Sequence, residues 1–274
     1  MTDQPRNPEL QPIDRSGYPL QVAIAHLVES RKQAHGWRVI YEEHAWKHKD
    51  GERGFIDVVL EHENMQVVLV VECKRIQKSE WMLLPTNGNA QPRRVARGLR
   101  IVRTGGAVNG VISGWADESL DPKSPEAAFC VMSRDSGNLT VDNVGAELVL
   151  ATEALESEES YYLDRRGGDS MRVYFPAIVT TAPLKVCSFD PKHISLKDGL
   201  VPLDAKVEVA RFVRFTKQLS TDVAQSNGMV RIARSIVYGQ EAGILARAKK
   251  RTSFIINAEA LDEFLCKFVI DRPR

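Results

Sequence analysis

The chain has 274 residues and lacks most of the features that would announce a class at once. Its four cysteines, Cys73, Cys130, Cys187 and Cys266, are widely scattered and contain no Cys-x-x-Cys pair. That spacing suits buried thiols in a reducing compartment better than disulfides or zinc. No apolar run approaches the length of a membrane span, and the opening MTDQPRNPELQP is polar and proline-rich. Neither a signal peptide nor a membrane anchor is expected, and a cytoplasmic location follows by default. A net charge of +1 provides no global pull towards nucleic acid, so a polyanionic partner would have to be met by a local basic cluster. The glycines of Thr104-Gly-Gly-Ala-Val-Asn-Gly110 lack both the Lys-Ser/Thr of a P-loop and the spacing of a dinucleotide fingerprint. There is no internal repeat and no helicase, methyltransferase or ATPase motif. Hydrophobic residues at 43% and charged residues at 27% describe an ordinary globular composition, and the length allows one large domain or two small ones.

What the chain does have is the stretch Gly54–Arg75, GFIDVVLEHENMQVVLVVECKR. Two apolar runs of strand length, Phe55–Leu60 and Val67–Val71, flank the polar turn Glu61–Asn64. Asp57 interrupts the first run, and Glu72-Cys73-Lys74 closes the second. Side chains alternate along a strand, so Glu72 and Lys74 project from one face and Cys73 from the other. If the runs pair as a hairpin, Asp57 falls beside Glu72. Two carboxylates at the edge of an apolar sheet need neutralising, and a divalent cation with a neighbouring lysine would do it. Mg²⁺ is commonly held by one or two carboxylates together with waters and phosphate oxygens. The chemistry this suggests is metal-assisted hydrolysis of a phosphodiester.

Gly-Phe-Ile-Asp57, a turn, then Val-Val-Glu72-Cys-Lys74 resembles the PD-(D/E)XK, or restriction-endonuclease-like, nuclease superfamily, with Ile56 in place of the proline of the name. The resemblance implies that Asp57 and Glu72 bind one or two Mg²⁺ ions (Mn²⁺ as a substitute), with the carbonyl of Cys73 as a further ligand. It implies that Lys74 assists the attacking water, and that DNA is favoured over RNA. It also implies an α/β core of helix, three antiparallel strands, helix and strand, here with an elaborated α+β C-terminal half.

The remaining chain is read around this core. Residues 1–16 are expected to be a disordered lead-in, 17–135 the nuclease-like core, and 136–274 an extension packed on the same sheet. Pro19 and Gly36 bracket a helix whose stripe is Leu20, Ala23, Ile24, Leu27 and Val28. Glu29 lies opposite that stripe and is left out of the site, whereas Gln21 flanks it. Trp37–Tyr41 reads as the first strand, and His44 and His48 as ordinary loop or strand-end residues. Between Lys74 and Arg103 the chain is strongly basic, with Glu80 as its single acid. The spacing there predicts a helix carrying Arg93, Arg97 and Arg100 on one side, which with Arg75 would hold backbone phosphates. Asp117–Pro125 reads as a turn-rich connection and Ala127–Ser133 as one short strand. Glu147–Asp164 is predicted as a helix whose acidic face points away from the substrate. Strands are expected at Met171–Thr181, Leu184–Phe189, Val207–Thr216 and Arg251–Asn257, followed by a helix over Ala258–Val269.

Two functions follow. One is a metal-dependent nuclease hydrolysing phosphodiester bonds, with DNA favoured. The other is a catalytically silent module of the same fold that binds nucleic acid or a partner protein. A homodimer or a targeting partner is the accompanying expectation, because no separate recognition domain is visible.

Overall fold

The computed structural model describes residues 7–49, 51–104, 110–132, 141–163, 170–218 and 248–271. Residues 1–6 of the expected lead-in and the glycine-rich residues 105–109 lie outside these. Residues 8–16 are helical. Asn7 caps a short 3-10 turn at Pro8–Leu10, and α1 (Gln11–Ser16) follows with proline again in its first turn.

Helix α2 (Tyr18–His35) starts at Pro19 and stops at Gly36, whose φ of +73° lets its N–H reach Lys32 O. A side chain at Gly36 would meet the His62 ring at 2.8 Å, so glycine is required twice over. Three antiparallel strands come next: β1 (Trp37–Lys47), β2 (Arg53–His62) and β3 (Val67–Lys74). Then follow β4 (Trp81–Leu84), β5 (Arg93–Thr104), β6 (Gly110–Ser124), β7 (Glu126–Ala127) and β8 (Phe129–Met132). Helix α3 (Val141–Leu163) leads into β9 (Ser170–Thr180), β10 (Leu184–Ser188), β11 (Lys206–Ala210), β12 (Phe212–Gln218) and β13 (Lys250–Asn257). The described chain closes with α4 (Leu261–Lys267) and β14 (Val269–Ile270). The protein is a mixed α/β protein with four α-helices and two mixed sheets, of ten and four strands, among the described residues.

The large sheet runs β1-β2-β3-β9-β13-β12-β7, with β5 joined to β9, β6 to β5, and β14 to β6. Strand β9 lies parallel to β3 from Val67↔Val173 to Lys74↔Thr180. Its other edge has two successive partners, β5 up to Tyr174 and β13 from Ala177. Val173 N donates to Gln66 O, so odd-numbered amides of β9 face β3 and even-numbered positions face the other edge. Pro176, which has no N–H to offer, therefore stands at the handover between β5 and β13, where no ladder bond is forfeited.

Helix α3 covers one face of the sheet, over Val68, Val70, Tyr174, Ile178 and Ile255. Helices α2 and α4 cover the other, over Val67, Leu69, Val71, Phe175 and Phe254. Strand β3 is buried on both faces, which is why it reads as a continuous valine-rich run. The small sheet, β11-β10-β4-β8, packs Trp81, Leu83, Leu184 and Val186 against the α3 side of the core. Trp81 is wholly buried, a packing residue.

Several expectations are corrected. The arginine-rich segment is strand β5, not a helix, and Asp117–Ser124 belongs to its partner β6 rather than to a turn. Gly98 marks the difference: a Cβ there would come within 2.6 Å of Phe175 and 2.9 Å of Val173, so the position is bare for close strand packing. The expected strand 127–133 divides into β7 and β8, and Val207–Thr216 divides into β11 and β12, each pair split between the two sheets. The acidic face of α3 points inwards. Glu153, Glu156 and Glu159 are buried under the sheet, met by the cations Arg251 and Arg172 from β13 and β9.

Candidate active site

The parallel strands β3, β9 and β13 end together, with Lys74 beside Thr180 and Thr180 beside Asn257. The carboxyl ends of such strands are where open α/β sheets generally take their ligands. Asp57 reaches this edge from β2. The last registered pair between β2 and β3 is Val58↔Val71, so β2 leaves the ladder at Asp57. On the other side Asp57 lies opposite Glu43, which adopts φ +49°, and the two form no registered pair although Glu42↔Val58 and His44↔Ile56 on either side of them do. Asp57 thus stands outside both ladders, and its side chain reaches across to β3, where Oδ2 accepts the Cys73 N–H at 2.6 Å.

Glu72 and Lys74 share the α3-side face of β3, and Lys74 Nζ donates to Glu72 Oε1 at 2.5 Å. Cys73 faces the other way, its thiol buried and its pKa pushed well above the usual thiol range by burial. The thiol is chemically withdrawn, but the main chain of Cys73 is not. Thr181 N donates to Lys74 O, so even-numbered carbonyls of β3 face β9. The N–H and C=O of Cys73 then both face the edge that β2 has vacated, where Asp57 stands.

Both carboxyls are pushed above their ordinary range. For Asp57 the main cause is burial, opposed by the Cys73 N–H and Lys74 and reinforced by Glu43. For Glu72 it is burial, then the charge of Asp57, opposed by Lys74 and reinforced by Glu147 of α3. Each carboxylate keeps one oxygen outside these hydrogen bonds. The local balance is four acids, Glu43, Asp57, Glu72 and Glu147, around one lysine, and such a site favours a cation.

The residues present fit a Mg²⁺-type ion held in its usual manner, by two carboxylates, a carbonyl and exogenous oxygens. Among the described residues no group of three or more His, Cys, Asp or Glu side chains is arranged as an all-protein cage. No family model, curated protein or solved structure matches the chain.

The expected phosphate-binding arginines divide. Arg75 follows Lys74 directly and stays at this edge, where Thr181 Oγ1 anchors the chain by accepting from Ile76 N at 2.8 Å and donating to Ile76 O at 3.0 Å. Arg93, Arg97 and Arg100 are not brought to the carboxylates. They cross to acids of β6 and β7: Arg97 to Asp117 at 3.1 Å, Arg100 to Glu118 at 2.5 Å, and Arg93 to Glu126 at 3.5 Å. Their counter-charges exist after all, on the neighbouring strands.

Glu29 accepts the Val39 N–H at 2.7 Å and stays outside the site. His44 pairs with Glu158 at 3.1 Å, and His48 is buried 3.8 Å from Glu153. Glu43 and Glu147 are the residues that sequence reasoning missed. Nothing local flags a left-handed Glu43, but Glu147 is the first glutamate of a helix that packs over β3 and could have been suspected on that ground.

Proposed function

We propose that the chain is a metal-dependent nuclease of the PD-(D/E)XK type, hydrolysing phosphodiester bonds, with DNA favoured over RNA. The observation that carries the reading is the meeting of Asp57, Glu72 and Lys74 at the carboxyl end of β3, with Asp57 drawn onto the Cys73 amide. The order of elements supports it: α2, β1–β3, α3 and then β9 parallel to β3 follow the restriction-endonuclease-like sequence of helix, three antiparallel strands, helix and strand. On this reading β4–β8 are inserted before α3, and the elements after β9 are appended.

Asp57 and Glu72 would hold the ion through their outward oxygens, with the Cys73 carbonyl beside them. The ion, when bound, polarises the phosphoryl oxygen and lowers the pKa of an adjacent water. The chain does the rest. Glu72 holds the Lys74 ammonium next to the reacting edge, where it orients the water and offsets negative charge developing on phosphorus. The water forms the new P–O bond, the bond to the leaving alkoxide breaks, and that alkoxide takes up a proton. Arg75 contributes a guanidinium for a flanking phosphate.

Asp57→Ala and Lys74→Ala are each expected to reduce Mg²⁺-dependent cleavage of labelled DNA by at least about 100-fold while circular dichroism stays native. Equal activity in wild type and both variants would sink the proposal. The paired arginines of β5 favour a second reading, a silent module that binds nucleic acid or a partner without turnover. On that reading calorimetry finds no Mn²⁺ binding by the wild-type chain.

A further inference from the structure

Asp57 belongs to no registered ladder pair: β3 pairs only as far as Val58, and the facing residue on β1, Glu43, has a left-handed backbone and is likewise unpaired in the ladder. A strand residue is normally placed by its neighbours' main chains, so the position of this carboxylate must be set by other contacts. Two are present. The Cys73 N–H holds the side chain, and the Gln21 amide of α2 holds the main chain, with Nε2 donating to Asp57 O at 2.8 Å. Gln21 is 6% exposed, and its neighbours Ile24, Ala25 and Val28 anchor the same face of α2 in the core. A buried amide on a long helix therefore fixes this unregistered position of β2 from behind.

We infer that Gln21 is the positioning residue of the metal site, holding Asp57 at the distance from Glu72 at which both carboxylates can share one divalent ion. The inference rests on the nuclease-type reading above and deepens it. Without the Nε2–H donor, the Asp57 carbonyl is free to swing, and the carboxylate loses its fixed origin on the main chain. The acid is still there and can still bind, so the loss is of affinity rather than of the site. Partners that orient a ligating carboxylate typically govern about 10–100-fold in metal affinity.

The test uses the full chain and Mn²⁺ alone, titrated by calorimetry and by the electron paramagnetic resonance signal of free Mn²⁺. Gln21→Met keeps the length and apolar packing of the side chain but cannot donate. It is expected to weaken Mn²⁺ binding by about 10–100-fold. Cleavage should show the same shift in the metal concentration needed, and it should return towards wild-type kcat when Mn²⁺ is raised. Asp57→Asn should lose binding outright. If Gln21→Met proves poorly folded, Gln21→Asn, whose amide falls one methylene short, must show the same weakening with a native melt. Wild-type affinity in a folded Gln21 variant, alongside loss in Asp57→Asn, overturns the role of Gln21 and leaves the nuclease reading standing. No Mn²⁺ binding by the wild-type chain overturns both.

Discussion

Arg214 of β12 has no exposed surface and, among the described residues, no hydrogen-bonded carboxylate. Its Nη1 donates to Ser124 Oγ at 2.7 Å, Ser124 O at 3.3 Å and Arg93 O, and its Nη2 to Pro122 O at 3.0 Å, Leu120 O at 3.2 Å and Arg94 O at 3.4 Å. Burial pulls its pKa down to about 10, offset in part by the more distant Asp121 and Glu126. The guanidinium replaces water for a knot of carbonyls where β5 begins and β6 ends. Arg214→Met would strand those acceptors and is expected to cost about 3 kcal/mol or more in urea unfolding. Lysine, with fewer and less spread donors, should recover only part. Gly98→Ala should cost about 1–3 kcal/mol for the opposite reason, too much volume against Phe175 and Val173. Both residues stand plainly in the sequence, yet neither role is visible there. The acceptors of Arg214 and the walls around Gly98 come from segments far along the chain. Asp57, Glu72 and Lys74 are different, because a charge breaking an apolar strand is a local signal.

Helix α3 shows what periodicity can and cannot report. Its length and place were readable, and its acidic face was read as pointing away from the substrate, but that three of its acids turn into the core was not. Here Trp115 Nε1 donates to Glu153 Oε1 at 2.7 Å, Arg172 meets Glu159 at 3.2 Å, and Arg251 lies 3.7 Å from Glu153. Glu156, between the two, is raised to about 7 by burial and by Glu153 and Glu159, with Ser113 opposing. The folded chain keeps that proton until about pH 7, whereas the unfolded chain releases it near 4.5. The folded state therefore binds more protons in between, and stability falls as pH rises through this window, by up to about 3 kcal/mol. Glu156→Gln should raise the melting temperature at pH 8 and change it little at pH 4.5. Strand β5 was misread for a related reason. Arginines at 93, 97 and 100 mimic a helical face, and their partners lie on β6 and β7. Gly98 in the middle of the segment was the local clue against a helix.

For the molecule as a whole, the placement of charge decides how it would meet a polyanion. Because the β5 arginines are spent on carboxylates, the salt dependence of DNA binding should draw on the edge beside Lys74. Arg75→Gln is expected to lower the slope of log Kobs against log salt by about one, and Arg97→Gln to leave it unchanged, as read by anisotropy across a salt series. The overall order of helix and strands was legible around the Gly54–Arg75 stretch. The second sheet was not, since a short strand declares neither its partners nor its sheet. One consequence concerns synthesis. Strand β3 is complete at Lys74, but its parallel partner ends at Thr180. At about 5–20 residues per second, roughly 5–20 s pass before the intervening hundred or so residues are made. Throughout that interval VVLVV presents an open edge. A fragment ending at residue 135 should accordingly be found in the pellet on centrifugation, because Asp57 and Glu72 are already made while Thr180, which closes that edge, is not.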